Sequence, residues 1–193
     1  MSKLIDEKKI EKIRESAISC IGRFGIGNAS VAEIARHAGV SVGYLYRHYS
    51  GKEELINDIL ERTLDIISDK IEELLHSGSS PEKIISGFIE FLFITSQKNP
   101  DKIKFILSLQ NDFSYEFPKK LSMRLNELCA KFINKGNETG ILTKDVTTGD
   151  IYIIVICLPL QFIGMKMRNI FGETTEKNKI INKITSLCLA AIK

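Results

Sequence analysis

The chain has 193 residues, 44% of them hydrophobic, which is enough to bury a sizeable core as one large or two small domains. Its net charge of +3 is unevenly placed: residues 1–52 hold 9 Lys/Arg against 5 Asp/Glu, and residues 53–193 hold 18 against 19, so a basic head precedes a near-neutral body. Cys20, Cys129, Cys157 and Cys188 are scattered with no C-x-x-C pair and no His cluster, a pattern that argues against a disulfide framework or a zinc site and for a reducing cytoplasm. The start MSKLIDEKK lacks the apolar core of a signal peptide. The most apolar run, 151–165, contains Pro159 and Gln161 and falls short of the roughly 20 residues needed to cross a bilayer, so it reads as a buried helix and no membrane partner is expected.

In chain order, a first helix is predicted over 6–24, where Ile10, Ile13, Ala17, Ile21 and Phe24 step by three or four along one face. Lys3, Lys8, Lys9 and Lys12 on it either brush phosphates or are simply solvated. After the loop 25–29, Ser30 with Glu33 is an S-x-x-E capping box that opens a short second helix carrying Val31, Ile34, Ala35 and Ala38 on one side. Gly39 stops it, Ser41 caps a third helix, and Val40 and Leu45 return to the same small core. Ser50 with Glu53 reads as another capping box, opening a fourth helix over 52–76, about 37 Å long at 1.5 Å per residue. Two helices crossing through a short turn need a small residue where their backbones meet and one tolerant of positive φ in the turn. Ala35 and Gly39 supply them, so 30–55 reads as a helix-turn-helix.

These residues also carry a resemblance. The run Val40-Ser41-x-Gly43-x-Leu45-Tyr46-x-His48-Tyr49-x-x-Lys52-Glu53-Glu54-Leu55 resembles the signature of the tetracycline-repressor (TetR) family of bacterial transcription regulators. The match is specific over about the first quarter of the chain and one of architecture beyond it. It implies an all-α fold of about nine helices: a three-helix DNA-binding domain over 1–51, then a ligand-binding and dimerisation domain over 52–193. It also implies a cytoplasmic, homodimeric, ligand-responsive regulator that binds double-stranded DNA at a palindromic operator, acts as a repressor and is released by a small molecule.

A recognition helix beginning at Ser41 turns its first residues to the major groove, so base-edge contacts fall to Val42, Gly43, Tyr44 and Arg47. Val42 is either an ordinary exposed valine or a contact for thymine methyl groups. Gly43 costs the helix about 1 kcal/mol, which points to close approach of backbone and phosphate, and the resemblance sets that glycine against DNA. Tyr46, His48 and Lys52 match family positions that clamp phosphates, and all three side chains can donate; a structural role is the other reading of His48. Lys52 stands at the positive end of its helix, where an anion would be needed to hold it. Ser30 and Ser41, as caps that can also face phosphates, complete the candidate DNA-facing set, while Tyr49 is assigned to the core. With Arg47 and Lys52 as the fixed charges, a dimer neutralises about four phosphates, for a salt slope near −3.6.

Further on, Ser80 with Pro81 starts a fifth helix running to 98 after the Ser77-Gly78-Ser79 break, and Asn99-Pro100 starts a sixth. An irregular aromatic segment, 110–118, precedes a seventh helix over 119–137, stopped at Gly140. Thr147 with Asp150 caps an eighth, with a kink expected at Pro159 and a stop at Phe171-Gly172, and a ninth spans 176–191. The wide apolar faces of the last two suit a core and a second subunit, giving Ile154, Leu158, Ile180, Ile184, Leu187 and Ala191 as the candidate dimer interface. Nine of the ten phenylalanines follow residue 80. The resemblance sets an inducer pocket among helices 4 to 8, so Phe88, Phe91, Phe105, Phe113, Phe132 and Phe162, with Gln110, are candidate lining for a small apolar or aromatic ligand; each phenylalanine reads equally as core. No Ser/His/Asp arrangement, glycine-rich phosphate cradle or metal-ligand spacing is present, so neither enzymatic activity, a metal nor a cofactor is expected. The competing reading is a helical ligand-binding or protein-interaction module that no longer reads DNA, and Val42 keeps it open.

Overall fold

A computed structural model describes residues 2–77, 80–142, 145–170 and 176–193, with side chains from residue 6 onward. Within them the chain is all-α. The helices are α1 (Ser2–Asn28), α2 (Val31–Ala38), α3 (Val42–His48), α4 (Lys52–His76), α5 (Pro81–Lys98), α6 (Pro100–Asn111), α7 (Lys119–Glu138), α8 (Thr148–Met167) and α9 (Lys177–Ile192). They form two compact units, one of residues 1–63 with 99–116 and the other of residues 64–98 with 117–193.

In the first unit, α1 is regular up to Phe24 and turns at Gly25, whose φ of 80° suits a residue without Cβ. Ser30 caps α2 by accepting from the Glu33 N–H at 3.1 Å. Gly39, at φ 67° and ψ 33°, ends α2: its N–H reaches the Arg36 carbonyl, and Val40 N–H reaches that of Ala35. This paired closure satisfies two otherwise orphaned carbonyls and aims the chain into α3. Ala35 is buried at the crossing, and Ile13, Ala17, Ile21, Ile34, Leu45, Leu55 and Ile59 fill the core around it.

The start of α4 differs from expectation. The helix opens one residue later than a Ser50 cap requires, with Leu55 N–H bonding to the Gly51 carbonyl. The carboxylate that reaches back is therefore that of Glu54, which accepts from the Ser50 N–H and hydroxyl at 2.6 Å, and not that of Glu53. The packing also divides the chain elsewhere than at the expected domain boundary of residue 51, because α6 lies along α1 and belongs with the helix-turn-helix. Gly22 makes that approach possible. A Cβ there would stand 3.1 Å from both the Asp101 carbonyl oxygen and the Lys104 Cβ. The Ser19 hydroxyl donates to Asp101 at 2.8 Å across the same seam.

The second unit is built on α5, whose Ile84, Ile85, Phe88, Ile89, Leu92 and Phe93 are buried under α8 and α9. Thr147 and Asp150 form the expected reciprocal capping box at the start of α8. The irregularity expected at Pro159 is a π turn over Tyr152–Cys157, where the Leu158 N–H reaches back to the Ile153 carbonyl. A proline ring crowds the carbonyl four residues before it, and widening the helix by one residue relieves that crowding. At 20 residues α8 is long and apolar enough to cross a membrane by those criteria alone, which corrects the shorter estimate; Ile151, Val155, Leu160 and Ile163 on it are core residues of the unit. Two of the expected interface residues also move. Ile180 and Ile184 are buried in their own unit, because α9 turns that face to α5. The exposed side of α8 and α9 carries Ile153, Met165, Leu187 and Ala191 instead, with Ile154 and Leu158 half-buried. The breaks at Gly78-Ser79 and Phe171-Gly172 lie outside the described residues, as does the Lys3 side chain.

A larger side chain at Gly22 must push α6 away from α1. Gly22→Leu is expected to lower stability by about 2 kcal/mol, read as a reduced melting temperature.

Candidate nucleic-acid interface and apolar cavity

The candidate recognition face is α3, and its placement depends on a polar network beneath it. Asp58 on α4 accepts from Arg14 Nε on α1 at 2.6 Å, from the Tyr49 hydroxyl at the end of α3 at 2.7 Å, and from Arg62 Nε at 3.1 Å. Burial alone would raise the Asp58 carboxyl, but these bonds outweigh it and hold the group below the usual carboxylate range. Burial and the Asp58 bond push the Tyr49 phenol well above its ordinary value, so it remains a donor. Tyr49 is thus a core residue, as its exclusion from the contact set anticipated.

Above this network, Ser41 caps α3 by accepting from the Tyr44 N–H at 3.1 Å. Ser30, Ser41, Val42, Gly43, Tyr46 and Arg47 are all exposed, with Tyr46 at 53% and Val42 at 39%. Among the described residues, no atom beyond the neighbouring residues and the helix's own backbone lies within 4 Å of where a Gly43 Cβ would be, so the packing there does not call for glycine.

Three members of the set are engaged within the chain. The Tyr44 hydroxyl donates to Asp6 Oδ1 on α1, a bond that holds the phenol above its ordinary value. His48 is half-buried, its ring 4.9 Å from that of Tyr44 and its Nε2 3.6 Å from the same Asp6 oxygen. Lys52 Nζ donates to the Ile26 carbonyl at 2.5 Å. A backbone oxygen just past the Gly25 turn of α1 therefore holds this cation, where the sequence called for a phosphate. Lys9 Nζ lies 5.1 Å above the Tyr44 ring and Arg47 Cζ 5.7 Å from it. Among the described lysine side chains of α1, Lys9 is thus the one set over a ring of α3. Sequence periodicity could not separate it from Lys8 and Lys12, because that distinction needs the α1–α3 crossing.

In the second unit, Ile71, Ile84, Phe88, Leu128, Cys129, Phe132, Ile151, Val155 and Ile156 line a partly open apolar cavity of about 20 Å³. Burial pushes the Cys129 thiol up to about 11, so it presents a neutral S–H to the cavity. Of the expected lining residues, Phe88 and Phe132 are present, and Phe91 stacks on Phe88 at 6.3 Å. Phe162 lies on α8 outside the lining. Phe105 and Gln110 belong to α6 in the first unit, where Phe105 is core, and Phe113 is fully exposed; none of these three lines the cavity. No group of three or more His, Cys, Asp or Glu that could hold a metal occurs among the described residues.

A family model described as bacterial regulatory proteins, tetR family, matches residues 13–59. The chain is 30% identical over 142 residues to the HTH-type transcriptional regulator YvdT of Bacillus subtilis strain 168, covering 73% of this chain and 71% of that protein. It is 23% identical over 147 residues to the HTH-type transcriptional repressor KstR2 of Mycobacterium tuberculosis, covering 73% and 72%. Among solved structures, a TetR family transcription regulator from Marinobacter aquaeolei VT8 has the same fold, with a TM-score of 0.80, 18% identity and 98% of each chain covered.

Two predictions follow from the α3 face and its support. Gly43→Ala is expected to stabilise the protein by about 1 kcal/mol in thermal or urea melts, yet to weaken DNA binding at least tenfold in a titration. Asp58→Asn is expected to cost about 1.5 kcal/mol at neutral pH, since Arg14 and Tyr49 lose a charged acceptor that is itself part-exposed. The Asp58 carboxyl is depressed in the folded chain, so its contribution is present above the ordinary carboxylate value of 3.8 and disappears as pH falls through the lower folded value. Paired urea melts should therefore converge in acid.

Proposed function

This chain belongs to the TetR family of bacterial regulatory proteins and is a DNA-binding transcriptional regulator, and from that premise we propose that it acts as a cytoplasmic homodimeric repressor, released from a palindromic operator by an apolar small molecule. The observation that carries the reading is the exposed α3 face of Val42, Gly43, Tyr46 and Arg47, with Lys9 beside it and no internal reason for Gly43. An open face of this kind admits a major-groove edge. Val42 suits thymine methyl groups, Arg47 a guanine or a phosphate, and Tyr46 a phosphate oxygen.

The proposed dimer forms through the exposed apolar residues of α8 and α9, which a second copy would cover. The relative KstR2 is named as a repressor, which supports repression as the direction of control. The cavity supports the ligand class: its walls are hydrocarbon apart from one neutral thiol, so a charged head would find no partner there. At about 20 Å³ it holds little more than one water, and a ligand must move its walls apart. The π turn of α8 contributes two of them, Val155 and Ile156, and offers an irregular stretch of helix that can rearrange.

Coupling to DNA follows the chain. It passes between the two units within α4, at 98–99 and at 116–117, and the last two passages flank α6. A ligand that shifts α5 or α7 would pull on α6, which packs on α1, and α1 holds both Asp58 and Tyr44. Such a ligand works only through different affinity for the two arrangements.

The test is selection of binding sites from random duplex DNA with the purified protein, followed by titration across a salt series and release by straight-chain apolar compounds of graded length. A palindrome with half-sites about one helical turn apart is expected, with a log–log salt slope of about −2 to −4. Leu128→Phe, which fills the cavity, should leave operator binding intact and abolish release. Unselective binding that fades with salt would favour the interaction-module reading instead.

A further inference from the structure

We propose that Asp6 is a built-in competitor for the DNA phosphates, holding Tyr44 of the recognition helix in the free protein and yielding it to the operator; this rests on the DNA-binding reading above. The Asp6 Oδ1 atom accepts the Tyr44 hydroxyl and lies 3.6 Å from His48 Nε2. Lys9 and Arg47 flank the Tyr44 ring at 5.1 and 5.7 Å. One carboxylate oxygen thus takes a phenol donor and lies near an imidazole, while two cations flank the phenol ring, and such groups are the kind that phosphate oxygens collect in protein–DNA complexes.

The contact does little for the fold. The Asp6 side chain is 46% exposed, and exposed pairs of this kind contribute little to stability. His48 Nε2 is shielded from solvent and has no hydrogen-bond partner among the described residues, since Asp6 stops beyond bonding distance. That nitrogen is left for an incoming acceptor. The negative charge meanwhile sits at the edge of the face that a polyanion must approach, where it repels phosphates and has to be displaced from Tyr44. Apparent DNA affinity falls by the fraction of molecules in which the contact is closed.

Asp6→Asn separates the two effects. The amide oxygen can still accept from Tyr44 and keep its ring in place, while the charge that competes with phosphate is gone. Titration of the selected operator by fluorescence anisotropy, with full-length wild type, Asp6→Asn, Tyr44→Phe and the double variant, tests the proposal. Melting curves check that all four are equally folded. The expected result is a three- to tenfold tighter complex for Asp6→Asn at about 0.1 M salt, a salt slope steeper by up to about 2 per dimer, and a smaller gain when Tyr44 is already Phe. Unchanged or weaker binding by Asp6→Asn, with wild type binding normally, overturns the proposal and leaves the DNA reading standing. Failure of both proteins to bind any selected duplex removes the DNA reading and the proposal together.

Discussion

The helix-turn-helix unit depends on one carboxylate. Asp58 gathers donors from α1, from the end of α3 and from its own helix, so three elements that share only a small apolar core are fixed at a single point. The hydrophobic contacts of Ala35, Leu45 and Ile59 hold the helices together, but they tolerate sliding. A charged acceptor with directional partners does not, and that fixes the tilt of α3, the proposed reading helix. Removing the Asp58 carboxylate leaves Arg14 and Tyr49, both largely buried, without this acceptor, which couples the placement of α3 to stability.

The same unit is larger than a minimal helix-turn-helix. With α6 packed along α1 through the gap left by Gly22, α1 touches the elements that present α3 on one side and the segment continuous with α5 and α7 on the other. Asp6 at one end of α1, through Tyr44, and Arg14 at its middle, through Asp58 of α4, are polar ties of the same helix to α3. A small displacement of α1 therefore acts on two of them together. The apolar cavity, too small for a ligand as it stands and walled in part by a π turn, supplies the place where such a displacement could begin.

Much of this was legible in the sequence because local rules set it. The caps at Ser30, Ser41 and Thr147, the glycine closure at Gly39 and the spacing of apolar residues are all short-range signals, and the structure follows them. The structure departs from the local signals where helix register or a tertiary contact decides the outcome. Glu54 rather than Glu53 closes on Ser50 because the helix starts at Lys52, one residue past the serine cap. Lys52 turns to the Ile26 carbonyl, which no local pattern brings near. Phe105 and Phe113 look like Phe88 and Phe132 in composition, yet α6 joins the other unit and Phe113 lies in solvent. Ile180 and Ile184 were separable from Leu187 only once α5 was seen to cover one side of α9. Asp58 itself carried no signal, since an acid in a long helix normally faces water.

The claim at the centre of this account is that Ser41 to Lys52, held by Asp58, is the surface that meets DNA. Amide hydrogen exchange of the intact protein, with and without a selected operator duplex, addresses it directly. The account predicts that the duplex slows exchange most in peptides covering residues 41–52, with a lesser effect at the start of α1. Protection absent there, or appearing only in peptides from the second unit, would contradict it.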